Sequence, residues 1–233
     1  MRVRIQGLYV GRPRPMPGDG RATAIFKQAV DAALTVTAAG LAGDVQADLR
    51  VHGGPDKALH HFPSDHYARL VRAVPDLAGE FVAGAIGENI STAGITEADV
   101  CIGDVFALGT AQVQLSQPRT PCWKIDKKFG VEGLARAIAI AGIAGWYYRV
   151  LAPGTVAPGD ELRLLERNRV AFPVARMWAL GRALRPEMDE LEALAATPGL
   201  AAQWRQRIRD RAAWLRREQR RGADGESLAP SPR

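Results

Sequence analysis

The chain has 233 residues, enough to bury a sizeable core in one or two domains, and the composition of an ordinary globular protein. It holds only two cysteines, Cys101 and Cys122. That excludes a disulfide scaffold, a four-cysteine zinc site and a conventional iron–sulfur cluster held within the chain, and it fits a reducing cytoplasm. The net charge of +6 belongs to one segment: between Gln203 and Arg221 eight arginines stand against Asp210 and Glu218, so the remainder balances and no nucleic-acid groove is expected over the main body.

The first residues, Met1-Arg2-Val3-Arg4-Ile5, carry no apolar run, so no signal peptide is expected. The longest apolar stretch, residues 134–148, is too short to span a bilayer and contains Arg136, so no membrane span is expected either. Residues 3–10 read as a strand, and a Pro/Gly-rich loop follows over 11–20. Short β-like runs come next at 24–28, 34–38 and 45–51, with turns at Gly40, Gly43-Asp44 and Gly53-Gly54. Residues 65–74 place Tyr67, Leu70, Val71 and Val74 at helical spacing before Pro75. Residues 106–115 read as one strand. The turns Gly103-Asp104 and Gly159-Asp160 precede further strand-like runs at 105–108 and 161–165. Many short strands joined by glycine turns predict a closed or half-open β-barrel. After about Val170 the pattern becomes helical, with starts at Pro173, Pro186 and near Pro198, which makes a small three-helix unit. Residues 222–233 lack apolar content and are expected to be disordered.

Two stretches carry chemistry. The first is Ser116-Gln117-Pro118-Arg119-Thr120-Pro121-Cys122-Trp123-Lys124. Each proline lacks an N–H and fixes φ, so the strand must end and a stiff loop must follow. That loop presents Cys122 between Arg119 and Lys124, and a thiol near two cations is favoured as thiolate, the form that attacks electrophiles or binds a soft metal. The second stretch, residues 41–61, contains three of the four histidines. All four (His52, His60, His61 and His66) fall within 15 residues, with Arg50 and Lys57 among them. Imidazoles could hold zinc, although no cysteine lies nearby as a fourth ligand. Arg50, His52 and Lys57 could instead face a phosphate or an anionic cofactor, or the stretch could be a solvated polar loop. A third, weaker stretch, Gly84 to Ile90, offers a tight turn in which Glu88 and Asn89 could orient a ligand or simply brace the chain.

Together these stretches resemble the MOSC domain, the family related to the C-terminal domain of molybdenum cofactor sulfurases, and within it the YiiM-like subgroup. The matching residues are Gly43 to Asp48, Val51-His52-Gly53-Gly54-Pro55-Asp56-Lys57-Ala58, Gly87-Glu88-Asn89, Ile102-Gly103-Asp104, Gln117 to Cys122, Gly145 to Leu151 and Gly159-Asp160. The resemblance covers nearly the whole chain. It implies a mainly β fold: a MOSC-type β-barrel with a few helices over residues 1–168, a small C-terminal three-helix domain over 169–221, and a tail over 222–233.

The resemblance also implies a molybdenum cofactor of the molybdopterin type, and no pyridoxal phosphate, with Cys122 as the protein thiolate on the metal. The cofactor's anionic groups would need cationic and N–H partners, for which Arg50, His52, Lys57, Asn89, Arg119 and Cys122 are the candidates. The implied activity is a detoxifying reductase of N-hydroxylated compounds, N-hydroxylated purine bases included. It replaces N–OH by N–H, releases water and consumes two electrons and two protons. His52 or His61 would supply the proton. The sequence shows no flavin or nicotinamide fingerprint, so a separate flavoprotein or iron–sulfur electron donor is expected. The arginine-rich last helix is a docking face for an acidic partner, or simply a solvated face. The alternative is a sulfur or cofactor carrier that works through a Cys122 persulfide. The resemblance and the apolar helices leave room for a homodimer.

Overall fold

The computed structural model describes residues 1–226, without the side chains of residues 50, 51 and 222–226. In chain order the strands are β1 (Arg2–Val10), β2 (Arg14–Pro15), β3 (Ala22–Thr23), β4 (Gln28–Val30), β5 (Leu34–Thr37), β6 (Gly40–Leu41), β7 (Leu59–Pro63), β8 (Ile90–Thr92), β9 (Val105–Leu108), β10 (Ala111–Pro118), β11 (Trp146–Ala152), β12 (Gly154–Val156) and β13 (Glu161–Glu166). The helices are α1 (Leu49–His52), α2 (Asp65–Ala73), α3 (Lys124–Phe129), α4 (Leu134–Ala141), α5 (Val174–Arg182), α6 (Met188–Ala196) and α7 (Ala202–Glu226).

Seven strands pair in the order β13-β9-β10-β11-β7-β8-β1, and β1 pairs with β13 to close the barrel. Closure leaves no free edge around the ring, which is how many short strands become one stable unit. Only β7 and β8 run parallel within it; β4 adds to β1 outside the ring. The interior is filled by alternate residues, among them Ile5, Leu59, Phe106, Leu115, Trp146 and Tyr148, all fully buried.

Two expected strands are different in the structure. Residues 105–118 form not one strand but the hairpin β9–β10, turned at Gly109. Gly109 has φ +57, and a Cβ there would lie 2.2 Å from the Thr155 carbonyl oxygen, so only glycine makes the turn. Residues 45–51 are not a strand. The Asp44 carboxylate draws this segment into a loop, accepting hydrogen bonds from Gly11 N (2.7 Å), Gln46 Nε2 (2.9 Å) and Asn89 Nδ2 (2.8 Å), and the chain then enters α1.

The three C-terminal helices form where the sequence places them. Their buried residues, among them Val174, Met177, Leu191, Leu194 and Ile208, join the barrel interior in one continuous hydrophobic cluster. The last helix runs on to Glu226, past Arg221, and residues 227–233 lie outside the described residues. Among the described residues no helix is long and apolar enough to cross a membrane.

Candidate functional site

Strands β10, β11 and β7 lie side by side, and their registers set the site. Gln117 lies opposite Tyr147, and Tyr147 opposite His60, so these three side chains form a row on the outer face of the barrel wall. The neighbouring row, Leu115, Tyr148 and Leu59, faces the core. An irregularity in β10 between Leu115 and Gln117 makes the switch from one face to the other. Pro118 then ends the strand, and the Arg119 N–H donates to the Gly145 carbonyl (3.0 Å) as the chain leaves the sheet. Cys122 is part-exposed, and its carbonyl accepts from Ile125 N (3.0 Å) at the start of α3.

Cys122 opens onto a cavity walled by cations. Lys27, Lys57, Arg119 and Lys124 line it together with His52, His60, Asn89 and Tyr147, and among the described residues no carboxylate does. The sequence brings these residues from six separate segments. Lys27 is held by an ion pair with Asp44, both side chains being nearly inaccessible. Burial pulls the Lys27 ammonium below its usual range, and Asp44 partly offsets this. His52 is pushed down to about 4, first by burial and then by Lys124, Arg119 and Lys57. The imidazole is therefore neutral near pH 7, and the field around it is positive.

Two buried polar atoms on this wall, His52 Nδ1 and Arg119 Nη1, have no hydrogen-bond partner among the described residues. Such groups are normally satisfied. A cluster of fixed cations with an unused guanidinium donor and a soft thiol at its edge suits an anionic, sulfur-rich metal cofactor. The residues present therefore fit a molybdopterin-type group.

The expected site residues divide. Cys122, His52, Lys57, Asn89 and Arg119 all reach this cavity. Asn89 borders it, but its amide is used as a brace: Oδ1 accepts from His60 N (3.0 Å), and Nδ2 donates to the Tyr9 carbonyl and to Asp44. The Arg50 backbone lies in α1, and its side chain is outside the described residues. His61 is not brought to the cavity. Strand alternation turns it into the barrel interior, where its ring lies 3.1 Å from the Tyr148 hydroxyl and 2.8 Å from the Thr92 hydroxyl. Burial holds it down at about 3, so it is a neutral core imidazole.

The histidines do not gather around a metal. His66 pairs with Glu97 (2.6 Å), whose other oxygen accepts from Gly145 N (2.7 Å), and among the described residues no group of three or more His, Cys, Asp or Glu could hold an ion. Glu88 likewise serves the scaffold: fully buried, it accepts from the Tyr67 hydroxyl (2.5 Å), Gly84 N (2.5 Å) and Ile86 N (3.1 Å). Sequence reasoning missed Lys27, His60 and Tyr147 as cavity residues. Tyr147 could have been found from the alternation of the Trp146-Tyr147-Tyr148 run; nothing local marks Lys27.

Comparison with known proteins identifies the fold and the family. Residues 48–163 match the model of the MOSC domain, a family associated with molybdenum cofactor binding. The chain is 39% identical to protein YiiM of Escherichia coli over 88% of this chain and 90% of that one. It superposes on the crystal structure of YiiM from Geobacillus stearothermophilus with a TM-score of 0.76 at 34% identity, covering 90% of this chain and 99% of that chain. A protein of Gibberella moniliformis named "Reductase" shares 34% identity over 72% of this chain and 30% of its own length. The closed seven-stranded barrel and the match to YiiM over 88% of the chain lead to one conclusion: the chain is a member of the MOSC domain family, of the YiiM-like kind.

Proposed function

We propose that the protein is a molybdenum-cofactor-dependent reductase that converts N-hydroxylated compounds, N-hydroxylated purine bases among them, to their N–H forms with release of water. The observation that carries this reading is the part-exposed Cys122 beside a wall of Lys27, Lys57, Arg119 and Lys124, with Arg119 Nη1 and His52 Nδ1 unpaired among the described residues. The named reductase relative supports it. Bound in this cavity, the cofactor would supply the two-electron chemistry.

The chain's own residues do the rest. Cys122 is the metal-holding thiolate. Arg119, Lys124 and Lys57 hold the anionic groups and exclude competing cations. His52 is a neutral imidazole in the field of these cations, so an anion placed among them raises its proton affinity and lets it carry a proton to the leaving hydroxyl. His60 is buried with Nε2 3.2 Å from the Ala144 carbonyl and serves as a packed wall.

Electrons come from a separate flavoprotein or iron–sulfur protein, for which α7 offers the docking face. Arg205 and Arg211 are spent on carbonyls of α6 and α5 and their adjoining turns, whereas Arg209, Arg217 and Arg220 are exposed. The test is turnover of 6-hydroxylaminopurine with a chemical reductant. Wild type from a cofactor-making host should form adenine and water, and Cys122→Ser should not. Turnover that survives Cys122→Ser would refute the reading, and a persulfide on Cys122 without turnover would favour a sulfur carrier.

A further inference from the structure

We propose that the substrate's planar ring binds in a second cavity, between the barrel and α7, where Gln117 reads its hydrogen-bonding edge and Trp204 stacks on its face. This rests on the reductase reading above. The second cavity shares His52, Lys57, Cys122 and Tyr147 with the first, so the two meet at the thiol. Its own walls are Gln117 from the end of β10, Thr120 from the loop after it, and Gln203, Trp204 and Arg207 from α7. A substrate in it therefore lies against the same cysteine that borders the cationic cavity, on the side away from Lys27 and Arg119.

Gln117 sets the chemistry. It is only 3% exposed, lines this cavity, and its side-chain amide makes no hydrogen bond among the described residues. The residue is otherwise enclosed, so the part of its amide that stays accessible opens on this cavity, where it can pair with a ligand. The β10 irregularity places Gln117 here, opposite Tyr147; regular alternation would have put it on the core-facing side with Leu115. A planar amide presents a donor beside an acceptor, and its complement is a ring nitrogen beside an exocyclic N–H, the pairing by which glutamine reads adenine. An N-hydroxylated aminoheterocycle keeps that edge.

Trp204 and Tyr147 supply ring faces for a flat ligand, and the Arg207 guanidinium stands 5.9 Å over the Trp204 ring. Among the described residues no carboxylate lines the cavity, which disfavours cationic amines. The C-terminal helices thus complete the active site: α7 provides one wall of the substrate pocket.

The experiment is calorimetric titration of adenine, the N–H counterpart of such a substrate, into full-length wild type, Gln117→Leu, Trp204→Ala and Trp204→Phe. Gln117→Leu and Trp204→Ala should each weaken adenine binding by about tenfold or more. Trp204→Phe, which keeps a ring, should stay within about threefold of wild type. No measurable binding to wild type overturns the proposal, as does wild-type affinity in either Gln117→Leu or Trp204→Ala. If Gln117→Leu fails to fold, the Trp204→Ala and Trp204→Phe pair decides. The reductase reading fails separately, by absence of molybdenum and turnover in wild type that still binds adenine.

Discussion

Asp44→Ala should be among the most damaging single changes to the barrel wall outside its apolar core. The Asp44 carboxylate joins three segments through Gly11 N (2.7 Å), Gln46 Nε2 (2.9 Å) and Asn89 Nδ2 (2.8 Å), and it is the ion-pair partner of Lys27. The side chains of that pair are 2% and 4% exposed. Truncation leaves a buried ammonium without its partner and three donors without an acceptor. Removing one member of a buried pair typically destabilises by about 3–5 kcal/mol, a large share of a total stability of about 5–15 kcal/mol. The three donors do not add their full worth, because the adjoining cavity lets water reach some of them. Urea unfolding near neutral pH measures the loss. The cycle with Lys27→Met isolates its cause: deleting both charges should recover about 1 kcal/mol or more relative to Asp44→Ala alone. A loss under about 1 kcal/mol, or a double variant as unstable as the sum of the two singles, would refute the buried pair as the cause.

Two further outcomes follow from the same geometry. His61 is held down at about 3 and His52 at about 4, both below the unfolded value, so the unfolded chain binds more protons and stability is lost as pH falls below about 6.5. Each fully buried histidine contributes a slope of up to about 1.4 kcal/mol per pH unit, the part-exposed His52 less; urea midpoints between about pH 7 and pH 5 should show the decline, and His61→Gln should flatten it. A slope unchanged in His61→Gln would count against a neutral core imidazole. Gly145 has φ +73, and a Cβ there would lie 2.0 Å from the His61 carbonyl oxygen, so Gly145→Ala should destabilise by at least about 2 kcal/mol in thermal unfolding and disturb the β7–β11 pairing that aligns His60 with Tyr147. A wild-type Tm in that variant would mean that the two strands tolerate separation.

Periodicity was enough to read α2 and the three C-terminal helices, because each buries a stripe at helical spacing and a proline marks a boundary, Pro75 after α2 and Pro173, Pro186 and Pro198 ahead of the other three. The barrel was legible as a class from its glycine turns, but its closure was not, since the pairing of β1 with β13 joins the first strand to the last, far apart in sequence. Residues 45–51 misread as a strand because local alternation carries no record of Asp44, whose partners at 11, 27 and 89 are distant in sequence. Cys122 and Arg119 were legible from their prolines and charges. His61 was not separable from His60 without the register of β7, since one residue's shift exchanges core and cavity. Lys27 and Trp204 became cavity residues only through the fold, which brings the third and fourth strands and the last helix to one loop.

The most direct test is the molybdenum content of protein purified from a host that makes the cofactor, wild type beside Cys122→Ser. Cys122 as the metal-holding thiolate predicts near-stoichiometric molybdenum in wild type and its loss in the variant. No molybdenum in wild type, or wild-type molybdenum in Cys122→Ser, would contradict that assignment.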